Sequence, residues 1–175
     1  MAVAPKVRVV IVDYDPEWPR RFEEERARIV EALGELSVTV VHIGSTSVPS
    51  LGAKPIIDMM LGVQGKDKAD WVQKALEEIG YTDVTVQPEN PDWFYCLGYG
   101  APGLYHHLHL VVEGSSRWRR QLAFRDYLRA NPEAADEYNM LKRRLADQYG
   151  EDRVGYTDAK TVFIEGVIRK LGLSP

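Results

Sequence analysis

An α+β fold is predicted by three features of this 175-residue sequence. Short β-branched and aromatic runs fill the first two-thirds, whereas the last third shows only the 3.6-residue apolar spacing of helices. Within the first part, Ile56 to Val63 is apolar on both faces apart from Asp58, as expected of a central strand covered on two sides.

The elements follow in order. Val7 to Val12 reads as a first strand. Asp15 is placed to cap a helix opening at Pro16, whose missing N–H costs nothing there. Trp18, Phe22, Ile29 and Leu33 share one side of that helix, Glu23 to Arg28 form a charged outer face, and Gly34 stops it. Val38 to Ile43 is a second strand. After Ile56 to Val63, the spacing of Ala69, Val72, Ala75, Leu76 and Ile79 predicts a helix closed by Gly80. Tyr81 to Gln87 is expected to be a strand, Pro88 to Asp92 a loop, Trp93 to Tyr99 a strand and Gly100 to Gly103 a turn. His106 to Val112 follows as a strand. Its alternation puts His107, His109 and Val111 on one face and His106, Leu108, Leu110 and Val112 on the other. Three helices complete the chain. Trp118, Leu122 and Leu128 lie on the first, which stops at Asn131-Pro132. Ala134, Tyr138, Leu141 and Leu145 lie on the second, and Ile164, Val167, Ile168 and Leu171 on the third.

Composition narrows the function classes. An apolar share of 45% and a charged share of 27% are those of a globular protein with a real core, so one domain over 1–175 is expected, with the sheet in about 7–113 and the helical part in about 115–172. The net charge of −4 argues against broad nucleic-acid binding. One cysteine, Cys96, allows no internal disulfide and favours a reducing, cytoplasmic setting. Met1 to Arg8 lacks an apolar signal core and no run approaches membrane-spanning length, so no membrane partner is expected.

The chemistry concentrates between His42 and Asp58. Gly44-Ser45 lies in a turn between two strands, where glycine admits a ligand close to the backbone and hydroxyls of Ser45 and Thr46 can hold a phosphate oxygen. Lys54 can neutralise that phosphate as a point charge. Asp58 is a lone carboxylate in an apolar run, where burial without a partner is costly, so a metal, a lysine or a ligand is expected beside it. His107 and His109 share a strand face and can converge on Asp58, with His42 as a third contributor. Arg125, Lys142 and Lys160 each lie about a turn from a core position and are further candidates for phosphate contacts. Arg117, Arg119 and Arg120 sit at consecutive helix positions and read as a solvated helix start. Cys96, among Phe94, Tyr95 and Leu97, reads as a small core residue.

The run from His42 through Asp58 resembles the signature of the GrpB family. Tyr14 to Trp18, His106 to His109, and Phe124 to Arg129 with Asn131-Pro132-Glu133 match it too, so the resemblance covers nearly the whole chain. It implies a nucleotidyltransferase-like fold, a small mixed sheet with helices packed behind it and a helical C-terminal part. It also implies a relative fused to dephospho-CoA kinase in some bacteria. In the nucleotidyltransferase superfamily a Gly-Ser turn grips nucleotide phosphates and paired strand carboxylates hold divalent cations. Carried over, Gly44 and Ser45 match the turn and Asp58 the carboxylate strand. The paired acid is missing: two residues either side of Asp58 stand Ile56 and Met60. Ser50 also departs from the family, which usually has glycine there. The implied function is binding of a nucleotide or phosphorylated metabolite, with transfer of a nucleotidyl or phosphoryl group, Asp58 as metal ligand or base, and Asp58, His107 and His109 as ligands of a divalent Mg, Mn or Zn ion. Two other readings stay open: a non-catalytic binding module of the same fold, and a metal-dependent hydrolase using the histidines.

Overall fold

The computed structural model describes residues 8–34, 36, 38–86, 91–101 and 104–173. A five-stranded mixed sheet forms its centre, built from β1 (Thr39–Ile43), β2 (Ile56–Val63), β3 (Asp83–Val86), β4 (Trp93–Ala101) and β5 (Leu104–Val112) in the order β1-β2-β5-β4-β3. β2 and β5 run parallel, with Asp58 opposite His107 and Met60 opposite His109; β1 pairs antiparallel with β2, placing His42 opposite Met59. The helices are α1 (Trp18–Leu33), α2 (Lys66–Glu77), α3 (Ser116–Ala130), α4 (Pro132–Tyr149) and α5 (Arg153–Lys170).

The sheet is covered on both faces. Ile57, Met59, Leu61 and Val63 of β2, with Leu108 and Leu110 of β5, meet Trp18, Phe22 and Ile29 of α1 and Val72 and Leu76 of α2. On the other face Met60 and Val111 pack with Ile43 and Trp118 of α3. This two-sided burial is why β2 carries no polar face except at Asp58. Each fully buried side chain of this kind contributes about 1.5–3 kcal/mol relative to an exposed one. A separate cluster of Val48, Leu51, Leu128 and Tyr138 ties the loop after β1 to α3 and α4.

Three expectations need correction. The run ending at Val12 is not a sheet strand. Val12 makes an isolated bridge with Ala53, while Val9 packs against Leu145, Ala146 and Tyr156, so its β-branched residues serve helix packing. Asp15 does not cap α1 at Pro16. The helix begins at Trp18 with Glu17 in the capping position, and the Asp15 carboxylate instead accepts from Glu17 N at 2.9 Å, an Asx-type turn just before the helix. The charged face of α1 is also interrupted. Glu25 is 6% exposed, accepting the Tyr81 hydroxyl at 2.7 Å and pairing with Arg28 at 2.7 Å, so a buried acid is satisfied from α1 and from the segment after α2. Val7, 87–90 and 102–103, parts of the expected first strand, of the strand expected from Tyr81 to Gln87, and of the expected loop and turn, lie outside the described residues.

Candidate functional site

The turn between β1 and β2 is shaped by Gly44 and Asp58 together. Gly44 has φ +68°, and a Cβ there would stand 2.7 Å from Asp58 Oδ2, so only glycine allows both the turn and the close approach of the carboxylate. Ser45–Ser47 then forms a short 3-10 turn. Its conformation is fixed from behind by Arg129, whose Nε and Nη2 donate to Ser47 O at 2.9 and 2.7 Å, and by Ser47 Oγ donating to Gly44 O at 2.6 Å.

In front of this turn lies a cleft of about 730 Å³ between the sheet and the C-terminal helices. Gly44, Ser45, Thr46, Lys54 and Asp58 line its sheet side, and Lys142 of α4 and Lys160 of α5 its helical side. Lys142 is only 2% exposed; its Nζ donates to Ser45 Oγ at 2.8 Å and to Gly52 O. Lys160 stands over the Tyr156 ring at 4.5 Å, with Lys54 Nζ 5.9 Å from the same ring. Burial, then the proximity of Lys160, Arg143 and Lys54, pushes Lys142 down to about 7. Burial and Lys54 push Lys160 down to about 8, against an opposing pull from Asp58, and burial lowers Lys54 as well. Three ammonium groups are thus crowded together in a largely desolvated space.

Asp58 is the carboxylate at the foot of the cleft, with its side chain 31% exposed. Burial acts to raise its pKa, but the contact from His107 Nδ1 to Oδ1 at 3.3 Å, the His107 charge and Lys54 outweigh it and hold the group below the usual carboxylate value. His107 and His109 sit beside Asp58 on the same sheet face but do not line the cleft. His109 instead packs against the Trp93 ring at 5.3 Å, its Nδ1 buried without a hydrogen-bond partner, and burial pushes it down to about 4.

Two expected contributors are elsewhere. His42 is on the opposite sheet face, stacked on Phe22 of α1 at 4.7 Å, and its Nε2 meets Thr46 Oγ1 at 3.0 Å. It supports the turn from the α1 side and does not join Asp58. Arg125 donates to His42 O at 2.9 Å and pairs with Asp126 at 2.7 Å, so it too buttresses β1. A divalent ion, expected from the family resemblance, does not fit the donors. Asp58 is the lone acid on its strand face, one of its oxygens faces His107, and among the described residues no three His, Cys, Asp or Glu side chains are grouped to hold a metal. Burial pushes the Cys96 thiol up to about 11, in keeping with a packing residue.

Arg117 and Arg120, read from the sequence as part of a solvated helix start, both line the cleft, and Arg120 pairs there with Glu165. Rather than pointing into solvent, the Arg117 guanidinium lies over the Trp93 ring at 3.7 Å. No local pattern marks this contact, since Trp93 comes from β4, more than twenty residues earlier.

Comparison with known proteins places the scaffold. The GrpB protein family matches residues 8–170. The chain belongs to the GrpB family. A UPF0157 protein of Halalkalibacterium halodurans is 39% identical over 93% of this chain and 82% of its own length. The glutamate-rich protein GrpB of Alkalihalophilus pseudofirmus is 32% identical over 95% and 97%. A dephospho-CoA kinase of Mycolicibacterium paratuberculosis is 27% identical over 93% of this chain but only 46% of its own. Among solved structures, the conserved protein GrpB from Enterococcus faecalis superposes with a TM-score of 0.78 at 36% identity, covering 93% of this chain and 99% of that one. The Cid1 poly(U) polymerase superposes at 0.53 with 14% identity, over 78% of this chain and 43% of that one, a likeness of fold alone. The GrpB-family chain therefore has a nucleotidyltransferase-like α+β fold. No helix among its described residues is long and apolar enough to cross a membrane.

Proposed function

We propose that the cleft binds a nucleotide or another phosphorylated metabolite. One observation carries this reading: Lys54, Lys142 and Lys160 line one cleft with the Ser45 turn, Lys142 donating to Ser45, and among the described residues none of them forms an ion pair with a carboxylate. Crowded ammonium groups in a desolvated space repel one another, and a phosphate placed among them relieves both the repulsion and the lost solvation. Ser45 Oγ, already turned to Lys142, supplies a neutral hydrogen-bonding group to the same anion. The polymerase-like fold is consistent with a nucleotide as that ligand, and a cleft of about 730 Å³ has the capacity for one. A soluble cytoplasmic setting agrees with such a ligand.

The test is isothermal titration with inorganic pyrophosphate, ADP and ATP, each with EDTA and with Mg²⁺, Mn²⁺ or Zn²⁺. Binding in EDTA is expected, since the lysines supply the positive charge. Lys142→Met is expected to weaken it at least tenfold, equivalent to about 1.4 kcal/mol. No binding under any of these conditions, or a Lys142→Met protein that binds as the wild type does, overturns the reading.

Group transfer is a second reading, favoured by the partly exposed, ionised Asp58 held by His107. Asp58 then acts as the base that takes a proton from an acceptor hydroxyl. Asp58→Asn is expected to retain pyrophosphate binding, because it removes a negative charge beside the lysines, and to lose all turnover. Turnover by the Asn variant would eliminate Asp58 as the base.

A further inference from the structure

The cationic lining of the cleft extends beyond the lysines. Three carboxylates line the cleft, Asp58, Asp92 and Glu165; Glu165 pairs with Arg120, Asp58 contacts His107, and Arg117 forms no ion pair with any described carboxylate. Its Nε is buried and makes no hydrogen bond. The Trp93 face favours a cation but accepts no directed N–H bond, whereas a guanidinium presents five donors in a fixed planar fork. Burial acts against its charge, and the cation–π contact offsets part of that cost while leaving the buried Nε without a hydrogen-bond acceptor. The stack fixes the plane of the group in advance, and a planar fork of this kind matches a carboxylate or phosphate.

Arg117 is displaced from the lysine cluster. The Trp93 ring beneath it packs on His109, which stands two residues along β5 from the His107 opposite Asp58, about 7 Å at the usual rise per residue. β4, which carries Trp93, lies on the far side of β5 from β2, and the cation that acts on Arg117 is its helix neighbour Arg120.

We infer that Arg117, held flat on Trp93, is a second recognition point, and that the cleft selects ligands carrying two separated anionic groups, a phosphate at the lysines and a carboxylate or second phosphate at Arg117. This rests on the phosphate-binding reading above and adds the class of ligand. It gives Arg117 a role in specificity, while Lys142 governs affinity for anything with a phosphate.

The experiment uses the intact chain and three probes by isothermal titration. Inorganic pyrophosphate reports the lysine end alone. Fructose 1,6-bisphosphate carries a second phosphate, and 6-phosphogluconate carries a carboxylate in its place. At least one two-ended probe is expected to bind tenfold or more tighter than pyrophosphate, and which one does so identifies the second group. Arg117→Gln is expected to abolish that advantage while changing pyrophosphate affinity less than twofold. Arg117→Lys, which keeps the charge without the planar fork, is expected to recover only part of it, and serves as the folded control should the Gln variant be unstable. Equal losses for pyrophosphate and the two-ended probes, or no loss for any, overturn the inference while leaving the lysine site standing. Failure of pyrophosphate to bind the wild type removes the parent reading and this one together.

Discussion

Asp58 keeps its charge because its surroundings are unlike those of the rest of β2. Its neighbours along the strand are buried in an apolar core, but its own carboxylate opens to the cleft, contacts His107 and lies near Lys54. Gly44 makes room for it. Gly44→Ala is expected to destabilise the protein by about 2 kcal/mol, since a side chain is strained at this backbone angle and its Cβ would collide with Asp58 Oδ2. The same substitution is expected to weaken pyrophosphate binding by moving the Ser45 turn. Thermal unfolding and titration measure the two effects, and an unchanged melting temperature would refute the account of the turn. Much at this scale was legible in the sequence. An acid in an apolar run and a Gly-Ser turn before it are local signals, and Lys142 and Lys160 follow from helical spacing. His42 was misplaced for a physical reason. Alternation tells which residues of one strand share a face, but the pairing of His42 with Met59 decides which sheet face that is, and register is not a local property. Arg117 was missed because its partner lies on a distant strand.

At the scale of elements, the segment from Ser45 to Ala53 is where the chain accepts local strain. Ser50 is the one described residue other than glycine with a positive φ, at +65°. A left-handed residue with a side chain costs about 1–2 kcal/mol. Ser50→Gly is therefore expected to stabilise the protein, by about 0.5–1 kcal/mol once the greater freedom of glycine in the unfolded chain is subtracted. Ser50 is exposed and the change removes only a hydroxymethyl group, so the melting temperature is a direct measure; a fall would show that the Ser50 side chain makes a contribution its exposure does not suggest. The strands and helices themselves were readable from periodicity, and β2 matches its expected bounds, Ile56 to Val63. The run ending at Val12 failed because β propensity records a fit to a packed surface, and the surface available to Val9 is helical, made by Leu145, Ala146 and Tyr156.

For the whole molecule, assembling a cleft from two halves has a consequence for pH. The sheet half contributes Ser45, Lys54 and Asp58; the helical half contributes Lys142 and Lys160. The full set of charges is crowded only when the two halves meet, so the cost arises on folding. Lys142 and Lys160 sit at about 7 and about 8 when folded and near 10.5 when unfolded. Between those values the unfolded chain holds protons that the folded chain has released, so stability rises with pH. His42 and His109, pushed by burial down to about 4 from 6.5, act with the same sign at lower pH. The ligand-free protein is therefore expected to gain stability from pH 4 to 6.5 through these histidines and again from pH 7 to about 9 through the lysines. Above that range Cys96, raised to about 11 by burial, and the buried tyrosines begin to oppose the gain. Bound phosphate should alter the upper part alone. An anion among the lysines favours their protonated forms, so the stabilisation by pyrophosphate is expected to be greatest near pH 7 and to shrink towards pH 9, with proton uptake on binding. Melting curves across this range with and without pyrophosphate, and titrations in two buffers of different ionisation enthalpy, measure both effects. Proton release on binding would contradict the charge states assigned to the lysines, and a pyrophosphate shift that stayed constant between pH 7 and 9 would separate them from the anion site.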